Sequence, residues 1–286
     1  MGIAESIGVR VKTAGRWLKA RSTPWRLFNG EMLRVPWEVG WAYWDPSSNH
    51  EYEPEEWDAI TTYGKPGDVM IDIGANCGIV AWKMAKTVGQ AGRVLAFEPN
   101  PRIADVARQV AALNGLDQID VKTDLIADKG GRVSFTVSHV DGLGVRSSLS
   151  HDMADGEEIM VNAVTLDEVL REEPKVDYIK IDVEGAELKV LAGAEETLAK
   201  NPIVQIEVHG QYLPNFGDSV EQVFAAMRSR GFRGYNLCSH KPLVDAEFLA
   251  CTDCHVIDPV IGKDVAYLGY GQVIFFPASY GGQVPE

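Results

Sequence analysis

Four short segments hold acidic or basic side chains where an apolar strand gives way to a turn, and their spacing limits what they could bind. The first, Val69-Met-Ile-Asp72-Ile-Gly74-Ala-Asn76-Cys-Gly78, runs from a strand into a glycine-punctuated turn. Glycines let a backbone approach a ligand closely, and the following helix presents its first N–H groups there. A dinucleotide site uses the spacing G-x-G-x-x-G to bring such N–H groups to a pyrophosphate. Here the spacing is G-x-N-x-G, and Asp72 would repel a phosphate but attract an ammonium. S-adenosylmethionine carries an ammonium and a sulfonium and no phosphate, so Asp72, Gly74, Asn76 and Gly78 read as its cradle.

The second segment, Arg93-Val-Leu-Ala-Phe-Glu98-Pro-Asn100-Pro, ends a strand in a carboxylate at the separation from the glycine turn at which an acid reaches ribose hydroxyls. Glu98 is the expected ribose clamp. In the third, Val176-Asp-Tyr-Ile-Lys180-Ile-Asp182-Val-Glu184-Gly185-Ala-Glu187, strand period sets Lys180, Asp182 and Glu184 on one side. Open parallel sheets bind ligands beyond their strands' carboxyl ends, so Asp182 and Glu184 should border the transferred methyl. The fourth, Pro202-Ile-Val-Gln-Ile-Glu207-Val-His209-Gly, sets Glu207 and His209 on one side. An acceptor hydroxyl must lose its proton as its oxygen attacks, and a histidine is best matched to that task near neutral pH. The expected catalytic set is therefore His209, Asp182, Glu184 and Glu207, with His209 as the base.

To hold these segments side by side the chain needs parallel strands with crossovers, and its patterning supplies them. Apolar runs at 68–73, 93–97, 119–123, 177–183 and 203–208 alternate with helical stretches at about 78–88, 101–114, 185–199 and 219–230. Parallel neighbours require such crossovers, which predicts a Rossmann-like α/β fold with helices on both faces. Residues 131–137 and 159–164 read as an inserted antiparallel pair, joined by a loop with Arg146, Ser147 and Ser148. Strand candidates in 232–278, including Gln272–Phe276, could close the sheet with an antiparallel pair.

With 286 residues, 45% of them hydrophobic, the chain can bury one dominant core, expected over 51–280 behind an N-terminal extension and aromatic lead-in at 1–50. The net charge of -14 argues against a nucleic-acid partner, which needs clustered cations. Small or cationic ligands suit it better. Residues 1–30 hold six basic side chains and one acid, leaving 21 basic against 40 acidic residues in the rest. Ile3, Ile7, Val11, Ala14 and Leu18 mark a basic amphipathic helix, suited to peripheral membrane contact or to docking on the chain's own acidic domain. Residues 1–6 also fit the myristoylation string, a short pattern that recurs by chance. Trp41, Tyr43 and Trp44 read as core or lid. Four cysteines are too few for a disulfide framework, and no apolar run approaches a membrane span. A reducing, cytoplasmic location is expected; oligomeric state is left open.

Taken together, Tyr52-Glu-Pro-Glu55, Gly67 to Asn76, Phe97-Glu-Pro-Asn100, Asn114, Thr165-Leu-Asp167, Asp177 to Glu187 and Ile206-Glu-Val-His209 resemble the FkbM family of S-adenosylmethionine-dependent methyltransferases. The resemblance covers about residues 50–235. It implies the class I methyltransferase sheet, seven strands in the order 3-2-1-4-5-7-6, and O-methylation of a small molecule or sugar. It also implies cofactor contacts from Asp72, Gly74, Asn76, Gly78, Glu98, Asn100 and Asp182, with the adenine near Ile126, Ala127 and Asp128.

Two other readings stand beside it: a nicotinamide-dependent oxidoreductase, and a non-catalytic scaffold that keeps the fold. Cys238, His240, Cys251, Cys254 and His255 contain only one C-x-x-C pair, whereas structural zinc sites generally show two, so no metal is expected there. A divalent ion at Asp182, Glu184 and Glu207 is the alternative that hard carboxylates offer.

Overall fold

The computed structural model describes residues 24–37, 39, 49–50, 52–138, 147–148, 156–237, 255–257, 264–266 and 270–284. The expected amphipathic helix at 1–20, Trp41, Tyr43, Trp44, Arg146, Cys238, His240, Cys251 and Cys254 lie outside these residues. Seven strands form the central sheet: β1 (Val69–Ile73), β2 (Arg93–Phe97), β3 (Ile119–Lys122), β4 (Tyr178–Ile181), β5 (Ile203–His209), β6 (Phe232–Asn236) and β7 (Tyr270–Pro277). Their spatial order is β3-β2-β1-β4-β5-β7-β6. The first five run parallel, and β7 is antiparallel to both β5 and β6. The chain thus has a Rossmann-like α/β fold with the class I methyltransferase strand order.

β1 and β4 are buried along their whole length, as parallel strands covered on both faces must be. One face carries α1 (Pro54–Tyr63), α2 (Ile79–Val88) and α3 (Pro101–Leu113), with Ile60, Met84 and Val110 in a core shared with Met70, Val94 and Tyr178. α3 buries Ile103, Val106, Ala107 and Val110 at helical spacing. Its start is capped by Asn100, whose side chain accepts from the Arg102 N–H at 3.1 Å. On the opposite face α4 (Glu187–Ala192), α5 (Glu195–Leu198) and α6 (Val220–Ser229) cover Ile71, Ile181 and Ile206. Each aliphatic side chain so buried contributes about 1.5–3 kcal/mol.

Three features depart from the sequence reading. The helix expected over 185–199 is two short helices separated at Gly193, where the Ala127 carbonyl oxygen comes so close that a Cβ would lie 2.1 Å from it. Gly193 also accepts the Asp167 N–H through its own carbonyl, so the chain bends there. Secondly, Trp25–Phe28 and Glu31–Arg34 form a hairpin around Asn29 and Gly30, both at positive φ. Its Phe28 and Leu33 enter the same core as α1 and α2. Thirdly, the insertion expected over 131–137 and 159–164 is longer, pairing Gly131–Ser138 with Gly156–Val164. Among the described residues no helix is long and apolar enough to cross a membrane.

Candidate active site

The carboxyl ends of β1, β2 and β4 open on a cleft. Its walls are the β1 turn (Gly74, Asn76), Phe97, Glu98 and Pro99 after β2, the segment Asp124–Ile126 with Phe135, and Asp182, Val183, Glu184 and Ala186 after β4.

The β1 turn is held by its own backbone. Gly74 and Ala75 N–H groups donate to the Phe97 carbonyl at 3.0 and 2.9 Å, and Gly78 N–H to Ala75 at 2.8 Å. Asn76 N–H donates to Glu98 Oε2 at 3.0 Å and Cys77 N–H to Asn76 Oδ1 at 2.7 Å. The five successive N–H groups of the turn are therefore engaged and are not free to ring a pyrophosphate. Gly74 has φ +83°, and a Cβ there would sit 1.7 Å from the Asp182 carbonyl oxygen. Gly74→Ala is expected to cost at least about 2 kcal/mol, read as a shifted denaturant midpoint, and to distort the cleft floor. A midpoint within about 0.5 kcal/mol of wild type would contradict the tight approach. Gly78 does a different job: its Cβ would meet Ala107 at 2.9 Å, so it admits α3 against α2.

Glu98 is buried, and its Oε1 accepts the Asn100 N–H at 2.8 Å. Burial lifts its pKa to about 7, against the pull of the Asn100 and Asn76 N–H groups. The carboxylate therefore changes charge near neutrality while facing the cleft.

Behind the cleft lies a second, denser group. His209 donates from Nδ1 to Glu187 Oε1 at 2.7 Å. Its Nε2 faces Glu184 Oε2 at 3.6 Å and Asp182 Oδ1 and Glu207 Oε1, each at 3.7 Å. Burial disfavours the charged ring, but Glu184, Glu187 and Glu207 outweigh it and hold His209 well above its ordinary pKa. Lys180, buried in β4, donates to Asp182 Oδ2 at 3.1 Å and lies 3.7 Å from Asp72. Burial raises the Asp182 pKa, but Lys180 and His209 overcome it and leave the carboxyl below its ordinary value. Lys180→Met is expected to cost about 3–5 kcal/mol, because it strands buried carboxylates without their counterion. Chemical denaturation measures this; an unchanged midpoint would mean that those acids are neutral in the folded chain.

Of the residues singled out from sequence, Gly74, Asn76, Glu98, Asp182 and Glu184 meet on the cleft wall. Glu207 and His209 stand behind Asp182 and Glu184. Glu184 lies beyond the end of β4 and reaches the group through a turn with φ +54°, not through strand period. Asp72 is fully buried beside Lys180, Asn100 caps α3, Ala127 is buried against Gly193, and Asp128 is exposed. Asp124, Leu125 and Ile126 occupy the wall expected of 126–128.

Sequence reasoning quoted Glu53 within Tyr52–Glu55 without giving it a role and missed Glu56; the two stand at the start of α1 and reach the same group. Gln272 on β7 donates to Glu207 at 3.0 Å and to Glu53 at 3.5 Å. Burial, with Asp182 adding to it, lifts Glu53 to about 6 and Glu207 well above the ordinary carboxyl range. The early hairpin sets Glu53 in place: Asn29 donates to the Tyr52 carbonyl at 2.6 Å and accepts the Tyr52 N–H at 2.9 Å. Asn29–Gly30, a strong hairpin signal, was the available clue to that support.

The chain is similar to several known proteins. The family profile described as the Methyltransferase FkbM domain matches residues 72–233. The 2-O-methyltransferase NoeI of Sinorhizobium fredii is 31% identical over 170 residues, 54% of this chain and 68% of that protein. The hexuronic acid methyltransferase AglP of Haloferax volcanii is 29% identical over 144 residues, and this chain spans 56% of its length and 50% of its own. An O-methyltransferase from Bacillus cereus solved with SAH has TM-score 0.46 and 13% identity, over 83% of this chain and 86% of that one. The matched profile runs from Asp72 on β1 to Arg233 on β6 and takes in the whole cleft floor, and the chain belongs to the FkbM methyltransferase family.

Proposed function

We propose that this chain binds S-adenosylmethionine in the cleft and transfers its methyl group to a hydroxyl of a sugar or another small molecule. The observation that carries the reading is the charge of the cleft: Glu98, Asp182 and Glu184 face it, and the N–H groups of the β1 turn are already engaged. Such a wall favours a cationic, phosphate-free cofactor over a dinucleotide. When bound, the cofactor supplies an electrophilic methyl on a sulfonium.

The chain's own residues then have separate tasks. Ionised Glu98 accepts hydrogen bonds from ribose hydroxyls, while Leu125, Ile126 and Phe135 offer an apolar wall to the adenine. Asp182 and Glu184 mark the border between cofactor and acceptor. His209, fixed by Glu187, receives the acceptor's proton. Positive charge entering beside Asp182 and Glu184 offsets the carboxylates that hold His209 protonated, and so returns the ring toward its neutral, proton-accepting form. Holding acceptor oxygen and methyl in line supplies most of the acceleration.

The names of NoeI and AglP, a 2-O-methyltransferase and a hexuronic acid methyltransferase, support a sugar hydroxyl as the acceptor. The test is formation of S-adenosylhomocysteine with tritiated methyl donor and a panel of sugars, uronic acids and host extracts. Acceptor-dependent product carrying base-stable label is expected. Turnover of a nicotinamide cofactor without any labelled product would overturn the reading.

A further inference from the structure

The carboxylates at the start of α1 exceed what the proposed methyl transfer uses. Glu53, Glu56 and Glu207 each bring a carboxylate oxygen within 4.8 Å of the other two. Glu56 is fully buried, and neither of its oxygens has a hydrogen-bond partner. A buried carboxylate is ordinarily paired, hydrogen-bonded or bound to a metal, because isolating it from water costs several kcal/mol. Lys180 does not balance the group: this one ammonium is shared among Asp182, Glu56, Asp72 and Glu207. Gln272 reaches Glu207 and Glu53 with one amide nitrogen and leaves Glu56 unserved.

We propose that Glu53, Glu56 and Glu207 form a binding site for a divalent cation of the Mg²⁺ or Mn²⁺ class, in the acidic group behind Asp182 and Glu184. Three carboxylates and no sulfur make a hard, all-oxygen donor set, which suits these ions rather than zinc or copper. The three residues come from the loop before α1, from α1 itself and from β5, so the site exists only in the folded chain. This set differs from the Asp182, Glu184 and Glu207 grouping that sequence spacing suggests, because Glu56 points from α1 onto the sheet. His209 Nε2 lies 3.7 Å from Glu207 Oε1, so a cation here would stand beside the proposed proton acceptor. It could bind the acceptor's oxygen and lower that hydroxyl's pKa. That role rests on the methyl-transfer reading, whereas cation binding does not.

The test is a Mn²⁺ titration of the full chain, without methyl donor, followed by loss of the free-ion electron paramagnetic resonance signal. One saturable ion per chain is expected, with a dissociation constant below about 1 mM and displacement by Mg²⁺. Glu207→Gln and Glu56→Gln should each weaken binding about tenfold or more. Asp105→Asn, which changes an exposed carboxylate on α3, should leave it unaltered. Glu56→Gln keeps the shape of the side chain and turns an N–H donor toward the Glu53 and Glu207 carboxylates, and its metal-free melting temperature checks the fold directly. Without metal this variant should melt at or above the wild-type temperature, and only wild type should gain stability on adding Mn²⁺. Absence of a saturable ion in wild type, or wild-type affinity in both glutamine variants, would overturn the proposal. Failure of methyl transfer would appear separately, as missing S-adenosylhomocysteine with the Mn²⁺ titration intact.

Discussion

Glu98→Ala is expected to weaken S-adenosylmethionine binding by about 100-fold or more. Two charge-assisted hydrogen bonds to ribose hydroxyls, each worth about 1.5–3 kcal/mol, disappear together. The Asn76 and Asn100 N–H groups lose their acceptor as well, so the β1 turn loosens. Glu98→Gln separates these losses, since it keeps the shape and one acceptor oxygen. Its affinity should fall less than that of Glu98→Ala and should not vary with pH, so its deficit against wild type should widen as Glu98 ionises. In wild type the folded-state pKa of about 7 stands above the ordinary 4.5. The sign follows: the cofactor-free chain binds this proton more tightly than the unfolded chain does. The group's contribution to stability is thus full below pH 4.5 and is lost as pH rises through 7. Cofactor affinity runs the other way, because ribose hydroxyls donate to the ionised form, and should rise between about pH 6 and 8. Calorimetric titrations across that range measure the affinity trend, and denaturant midpoints between about pH 4 and 8 the stability trend. A flat wild-type profile with unchanged affinity in Glu98→Ala would remove Glu98 from the cofactor site.

The second large effect is expected at His209. His209→Asn should lower kcat by about 100-fold or more, the range of a lost general base, while cofactor affinity changes only severalfold. Glu187→Gln provides a readout that a merely structural role would not move. Glu187 holds Nδ1 at 2.7 Å and helps raise the ring's pKa. Its neutral replacement lowers that pKa, so the acid limb of the kcat profile should move to lower pH. Loss of kcat in Glu187→Gln with no shift of the limb would make Glu187 a packing residue only. Wild-type kcat in His209→Asn would assign proton removal elsewhere.

The parallel half of the fold was legible because strands buried on both faces must be continuous apolar runs, as Val69–Ile73 and Arg93–Phe97 nearly are. The donor side was legible for a related reason: Gly74, Asn76 and Glu98 sit within short, strongly patterned strand-to-turn segments. What escaped depends on contacts between distant segments. Glu56 on α1 meets Glu207 on β5, about 150 residues later, and no local period announces that meeting. Asp72 and Lys180 read as a cofactor ligand and a strand-face cation, yet registry across β1 and β4 makes them a buried pair. Asn100 reads equally as a ligand and as a helix cap, and only its bond to the Arg102 N–H distinguishes these. The break at Gly193 coincides with the close approach of Ala127, invisible in helical periodicity.

Central to the proposed function is that the cleft, acidic and with the N–H groups of the β1 turn engaged, takes a cationic cofactor lacking phosphate. Calorimetric titration of the full chain with S-adenosylmethionine, S-adenosylhomocysteine and NADH in parallel tests it most directly. One saturable site for each of the first two and none for NADH is predicted; saturable NADH binding with neither of the others would contradict it.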